Sequence, residues 1–245
     1  MSRASLHLGT HGADEAAELS ITHALLRLAS DGELDEAVRV YLPRRSTVVF
    51  GRRDTRLPGY DAAVAAARSA GFDTAVRVVG GRAVAYTANA VVVDHVRHDP
   101  RAVETMDARF QSFGEQYAAL LAGEGVDAHV GPVPGEYCPG EHSVNARSAV
   151  KLVGTAQRVV RHAWLFSALV VVDDLEPVRE VLTEVYGRLD LPFLPGSVGS
   201  VRAEAPHLDT DAVLDLIVGL AGGETSAGLP PGVLDRASSL VDQHR

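Results

Sequence analysis

The 245-residue chain has one cysteine, Cys138, and one lysine, Lys151, against 22 arginines. A single cysteine excludes an internal disulfide and fits a reducing compartment. Long apolar runs are missing too: the longest, around "WLFSALVVV", is far shorter than a bilayer-spanning segment. The first twenty residues hold no apolar core like that of a signal peptide, so the expected location is cytoplasmic, with no membrane contact. Basic charge is in deficit, with 23 basic against 32 acidic side chains and a net charge of −9. That argues against a broad nucleic-acid surface, though it leaves room for a local arginine-lined pocket. No repeat of 20–50 residues is present, and only "GLAGGETSAGLPPG" is low in complexity.

What remains is an ordinary globular composition, 46% hydrophobic and 22% charged, long enough to bury a substantial core. Residues 14–30 carry apolar side chains at helical spacing (Ile21, Leu25, Leu28), with Asp14 as N-cap. "EAVRVYLP" and "STVVFG" read as strands, and "YDAAVAAARSAG" as an alanine-rich helix ended by Gly71. Strand-like runs follow at "TAVRVV", "RAVAYT" and "NAVVVDHV", then a helix over 101–123. "VDAHVG", "SVNAR", "AVKLVGTAQRVV" and "AWLFSALVVV" suggest an antiparallel meander, with a helix at "EPVREVLTEVYGRL". Short connections between strands predict an α+β fold, a mixed and largely antiparallel sheet with flanking helices. Residues 205–245 read as two closing helices, with a flexible break near 221–231. Trp164 and Phe166 read as core.

A bias toward arginine removes lysine wherever either cation serves. Lys151, in the β-rich "AVKLVG", therefore marks a place where a compact ammonium is needed, such as beside charge developing on a carbonyl or phosphoryl oxygen. One lysine surviving by chance is the alternative.

"KLVGTAQR" resembles the lysine motif of the biotin/lipoate protein ligase superfamily, Lys-x-x-Gly-Ser-Ala-Gln. Upstream, "VRVVGGRAVAYTANAVVVDHV" resembles the superfamily's arginine-then-glycine segment. Arg77 matches its arginine, and Gly80-Gly81-Arg82-Ala83-Val84 matches its glycine core. "STVVFGRRD" resembles the strand before it, and the three matches keep the family's order over residues 35–172. The resemblance implies one catalytic domain filling 1–245, without a large accessory domain. It further implies attachment of a lipoyl or octanoyl group to a lysine of an acceptor domain, in a dehydrogenase complex or a glycine-cleavage carrier protein. A lipoyl context at Lys151 favours this over biotin ligation. In ligase members ATP with Mg activates the acyl group as an adenylate. Lys151 would then contact the acyl carbonyl and the phosphate. Gly80 and Gly81 would let the backbone approach the ligand, while Gly154, Thr155 and Ala156 form small walls. Val79, Val84 and Val153 are the expected lining of a narrow apolar acyl channel, with Arg77 or Arg82 at its polar end and Asn145 helping to bind the ligand. The family's histidine is Tyr86 here, its second arginine is Val76, and its serine is Thr155.

Arg82, where many ligases have a third glycine, is more typical of the octanoyltransferase and amidotransferase branches. These use no nucleotide and carry the acyl group on a cysteine, with acyl carrier protein among their donors. Cys138 lies upstream of the lysine motif, as the cysteine does in one set of them, and a thiolate beside a cation attacks thioesters readily. His142, four residues on, is a candidate base or a surface loop residue. The expected order is adenylate ligation first, thioester transfer through Cys138 second, and a non-catalytic acyl- or nucleotide-binding homologue third, the last supported by Tyr86. No tightly bound cofactor or metal is implied. "GEYCPGEH" has phosphate-loop spacing but Glu141 where lysine is required, and Cys138, His142 and His129 match no zinc spacing. His95 and His98 read as surface residues.

Overall fold

The computed structural model describes residues 4–226 and 228–245. In chain order, β1 (Ser5–Leu8) leads to α1 (Glu15–Asp31), β2 (Glu36–Tyr41) and β3 (Thr47–Gly51). Next come α2 (Tyr60–Ser69), β4 (Asp73–Arg77), β5 (Val84–Tyr86) and β6 (Ala90–His98). α3 (Met106–Gly123) opens onto β7 (Ala128–Val130), β8 (Val144–Ala146), β9 (Val150–Val160) and β10 (Ala163–Val171). α4 (Leu175–Arg188), α5 (Val201–Glu204), α6 (Thr210–Ala221), β11 (Glu224–Thr225) and α7 (Val233–Ser238) complete the chain.

Among the described residues the strands form two sheets. The larger runs β11-β1-β2-β6-β10-β9-β8-β7, and the smaller runs β4-β3-β5. From β2 to β7 every pairing is antiparallel, whereas β1 runs parallel to both β2 and β11, and β3 runs parallel to β4. The fold is therefore α+β, with a mixed, largely antiparallel sheet, and β7–β10 are the expected meander. Two boundaries differ from the sequence reading. The helix expected from 101 begins at Met106, because Asp99 and Pro100 start a run of turns in which Asp99 Oδ1 accepts from Arg101 N at 2.8 Å. Residues 224–225, expected within a flexible break, instead pair with β1 at the sheet edge.

α1 is capped as the sequence suggests, Asp14 Oδ1 accepting from Ala17 N at 2.9 Å. It packs across one face of β6 and β10 while α6 covers β2 and β6 from the other. β2 is consequently buried on both faces, so that Arg39 is wholly enclosed. Its guanidinium is held by the Glu18 carboxylate, Thr22 Oγ1 at 2.8 Å and Asp94 at 4.0 Å. Charges this deep persist only when paired. Between α1, the inner face of the large sheet and the small sheet lies a narrow cavity, and beside it a larger open cleft.

Candidate active site

β4 ends at Arg77 and the chain returns as β5 from Val84, so residues 78–83 form the connection between these neighbouring parts of the small sheet. Gly81 sits in this connection at φ +103°, a region side chains other than glycine rarely adopt. A Cβ there would lie 2.5 Å from Cys138 Sγ and 2.8 Å from Arg77 Nη2. The missing side chain thus makes room for a thiol and a guanidinium, not for a ligand approaching from outside. Gly80, by contrast, borders the cleft, where an added Cβ would meet only Gln157 O at 3.8 Å. Arg82 turns its side chain away to buried Asp54, Nη1 to Oδ1 at 3.1 Å, and Asp54 also accepts from Gly51 N at 2.9 Å. That ion pair fixes the backbone so that Arg82 N–H points at Cys138 Sγ, 3.2 Å away. Arg77 Nη2 donates to the same sulfur at 3.3 Å and to Arg82 O at 2.8 Å.

Cys138 lies in the loop between β7 and β8, itself at φ +43°. Its N–H donates to Tyr186 Oη at 2.6 Å, and that hydroxyl donates onward to Ala83 O at 2.9 Å. One tyrosine of α4 thereby clamps the cysteine loop to the glycine segment. Lys151 projects from β9 beneath the same loop and is almost fully buried. Its Nζ donates to Tyr137 O at 3.1 Å and Cys138 O at 3.0 Å, and pairs with Glu136 Oε2 at 2.8 Å. Glu136 also accepts from Val133 N at 3.1 Å and Ser143 Oγ at 2.6 Å. Burial pushes the Cys138 thiol up, but Arg77, then Lys151 and the Arg82 N–H outweigh it and hold the thiol below its ordinary value.

The cavity has a volume of about 60 Å³. Leu19, Val49, Val79, Val84, Leu165 and Leu169 give it an apolar lining, and Arg77 stands at its boundary. Thr22, Asp94 and Ser167 supply one polar patch, in which Thr22 Oγ1 and Ser167 Oγ donate to Asp94 at 2.6 and 2.5 Å. Tyr86 lines the cavity with its ring and donates its hydroxyl to Glu15 at 2.5 Å. The open cleft, about 500 Å³, is lined by Cys138 together with Gly80, Gly81, Phe110, His142 and Thr155. The thiol therefore stands at a junction: Cys138 faces the cleft, and the arginine that touches its sulfur faces the cavity.

Several expected positions move. Lys151 lines neither the cavity nor the cleft, and Cys138 stands between its ammonium and the 77–86 segment. Val153 packs with Val144 and Val170 in a separate buried cluster and does not line the cavity. Asn145 is tied to backbone, Nδ2 to Gly131 O at 3.0 Å and Oδ1 from Ser148 N at 2.9 Å, which makes it a brace for the loops on either side. Gly154 lines the cavity, where its missing Cβ leaves space for Lys151 Cε, while Thr155 and Ala156 line the cleft. His95 is half-buried rather than on the surface, bonded to Glu36 at 2.7 Å and packed edge-on to Trp164. No group of three or more metal-ligating side chains comes together among the described residues. Sequence reasoning missed Glu136, Asp54 and Tyr186. Glu136 carried one usable signal, since a lone buried lysine needs a carboxylate and Glu136 is an acid close to the thiol.

A narrow, largely apolar cavity between the two sheets thus adjoins, across Arg77, a cleft that holds a thiol acidified by its neighbours. Residues 14–218 match the family described as the Lipoyl protein ligase A/B catalytic domain, and the chain belongs to that family. Among curated proteins it is 29% identical over 148 residues to the octanoyl-[GcvH]:protein N-octanoyltransferase of Geobacillus kaustophilus, covering 60% of this chain and 52% of that protein. It is likewise 29% identical over 150 residues to the enzyme of that name from Anoxybacillus flavithermus, with the same coverage. The matches span about half the length of these relatives. Among solved structures, the fold superposes on lipoate-protein ligase A bound with ATP with a TM-score of 0.75 at 18% identity, covering 99% of this chain and 95% of that one. For the bi-partite lipoate protein ligase of Thermoplasma acidophilum the TM-score is 0.71 at 18% identity, with 99% and 93% covered.

Proposed function

We propose that the chain transfers a medium-chain acyl group, octanoyl or lipoyl, onto a lysine of a lipoyl-acceptor domain through a thioester on Cys138, without nucleotide. The observation that carries this reading is the position of the thiol: acidified by Arg77 and Lys151, it lines the open cleft and touches the arginine that borders the apolar cavity. The Cys138 thiolate attacks the acyl carbonyl of the donor, forming a C–S bond. The donor's sulfur or nitrogen leaves through the cleft and takes up a proton. Arg82 N–H and Arg77 Nη2, both aimed at the sulfur, stabilise the thiolate as nucleophile and later as leaving group. The alkyl tail enters the cavity, whose apolar lining stabilises it by about 0.8 kcal/mol per methylene buried. The acceptor amine then enters through the cleft, forms the amide and releases the thiol.

The ligase route, placed first on motifs alone, has less support here. The space over Gly81 that a ligand would need is filled by sulfur and guanidinium, and the single lysine is held by Glu136 and two carbonyls. The curated relatives are named as transferases whose donor is octanoyl-GcvH, which makes that carrier the first donor to test and acyl carrier protein the second. Incubation with either octanoyl donor should leave an octanoyl adduct on the enzyme, visible by intact mass and removed by hydroxylamine. Cys138→Ser should abolish both adduct and transfer, and ATP with Mg should change nothing. A silent Cys138→Ser together with an absolute ATP requirement would overturn the reading and restore the adenylate route.

A further inference from the structure

The second half of the proposed reaction needs a base. The acceptor lysine attacks the Cys138 thioester, its nitrogen forms the C–N bond, the C–S bond breaks, and the nitrogen must shed a proton. Lys151 is badly placed to take it, because its ammonium already donates to Glu136, Tyr137 O and Cys138 O and faces neither the cavity nor the cleft. Glu136 is equally occupied, accepting from Lys151, Ser143 Oγ and Val133 N. The acceptor arrives through the cleft, so the base must stand there.

One imidazole does. His142 lines the same cleft as Cys138, four residues along the loop. Its ring lies flat against Phe110 of α3, centroids 5.3 Å apart and planes within 6°. Thr155 Oγ1 donates to its main-chain carbonyl at 3.3 Å, which pins the backbone. Its Nδ1 is buried and finds no hydrogen-bond partner on the protein. The enclosed Nδ1 is out of reach of an incoming amine, so the nitrogen that can take a proton in the cleft is Nε2, which is neither enclosed nor hydrogen-bonded. The charged neighbours are Asp107 on the same helix as Phe110, Glu141 beside it in the loop, and Arg53 across the cleft.

We propose, resting on the thioester reading above, that His142 is the general base for aminolysis. The imidazole takes the proton from the nitrogen of the tetrahedral adduct as the Cys138 thiolate departs, then returns it to the thiolate or to solvent. With a thioester donor its role is confined to the second half-reaction; with an amide donor such as octanoyl-GcvH the same imidazole, protonated, hands its proton to the leaving nitrogen in the first.

The test uses purified full-length octanoyl-enzyme of wild type and His142→Gln, which keeps shape and polarity without a basic nitrogen. Acylation of Cys138 by a thioester donor, octanoyl-acyl carrier protein, followed by intact mass, should proceed at the wild-type rate, which also shows the variant to be folded, whereas acylation by octanoyl-GcvH, whose leaving group is an amine, should slow as transfer does. Single-turnover transfer to a lipoyl domain should fall on the order of 10²-fold, within the range for a lost general base. Discharge by hydroxylamine, already unprotonated at neutral pH, should not change. Transfer to the lipoyl domain at the wild-type rate would overturn the assignment, as would equal slowing of acylation, hydroxylamine discharge and transfer, which marks a structural role. If wild type forms no octanoyl-enzyme at all, the thioester reading itself fails and the assignment falls with it.

Discussion

Lys151 holds three acceptors at once, the Glu136 carboxylate and two main-chain carbonyls, with its ring-face contact to Tyr137 at 4.8 Å. Its Cε passes 3.2 Å from the place a Cβ on Gly154 would occupy. A planar guanidinium is larger and directs its donors in a fixed fork, so Lys151→Arg should be nearly as damaging to activity as Lys151→Ala. Removing the ammonium has two separable consequences. It leaves Glu136 as a buried carboxylate without its cation, at a cost of about 3–5 kcal/mol. It also withdraws a charge that acidifies the Cys138 thiol. The paired change Glu136→Gln with Lys151→Met should therefore recover most of the stability in urea melts. Alkylation of Cys138 by iodoacetamide, followed against pH, should still titrate higher than in wild type. If the double variant alkylates with the wild-type profile, Lys151 is only a post beneath the loop and the acidity of the thiol comes from Arg77 and Arg82 N–H.

The connection between β4 and β5 shows how one element can carry opposite tolerances at adjacent glycines. At Gly81 a methyl group must enter both a left-handed backbone and the space of Cys138 Sγ, so Gly81→Ala should cost more than about 1–2 kcal/mol and displace the thiol. At Gly80 the nearest atom to an added Cβ is Gln157 O at 3.8 Å, so Gly80→Ala should melt close to wild type and keep its thiol reactivity. Equal melting temperatures for the two variants would contradict this account. The glycine pair was legible in the sequence, but which glycine serves the thiol was not, because that depends on a loop 57 residues further along. The same limit runs through the fold. The β7–β10 meander could be read because neighbours in sequence are neighbours in the sheet. The division into two sheets could not, since β3 finds β4 and β5 while β2 finds β6 across more than fifty residues. Register across that gap aligns Arg39, Asp94 and Ser167 in one row beneath Glu18 and Thr22 of α1. Each of these looks like a surface residue in its own segment, and only their meeting makes them interior. Glu136 and Tyr186 escaped for a similar reason, having no periodicity that points at Cys138.

At the scale of the whole molecule, α1 lies between two buried titratable groups with opposite effects on stability. On its first turn, burial pushes Glu15 up to about 7 from 4.5, with Glu18 and Asp94 adding to the rise and the Tyr86 and Tyr41 hydroxyls opposing it. Further along, burial, followed by His244 and Arg27, holds His23 down to about 4 from 6.5. The bonds there form a neutral relay: Arg27 Nε donates to His23 Nε2, His23 Nδ1 to His244 Nε2, and His244 Nδ1 to Val76 O. Glu15 keeps its proton in the folded chain after the unfolded chain has lost it, so its contribution falls as pH rises from 4.5 through 7. His23 stays neutral in the folded chain while the unfolded chain takes up a proton, so its contribution falls as pH drops from 6.5 through 4. Each displacement corresponds to on the order of 3 kcal/mol at most, and the two slopes oppose between pH 4.5 and 6.5. His7 and His244 are also held down by burial and act in the same sense as His23, so wild-type stability should rise with pH across this window, though less than the histidines alone would give. Glu15→Gln removes the opposing contribution and should steepen that rise, whereas His23→Gln should flatten it, both read from urea midpoints at half-unit steps of pH. If Glu15→Gln leaves the slope unchanged, Glu15 ionises normally beside Tyr86, and the end of α1 nearest the cavity carries a full negative charge at neutral pH.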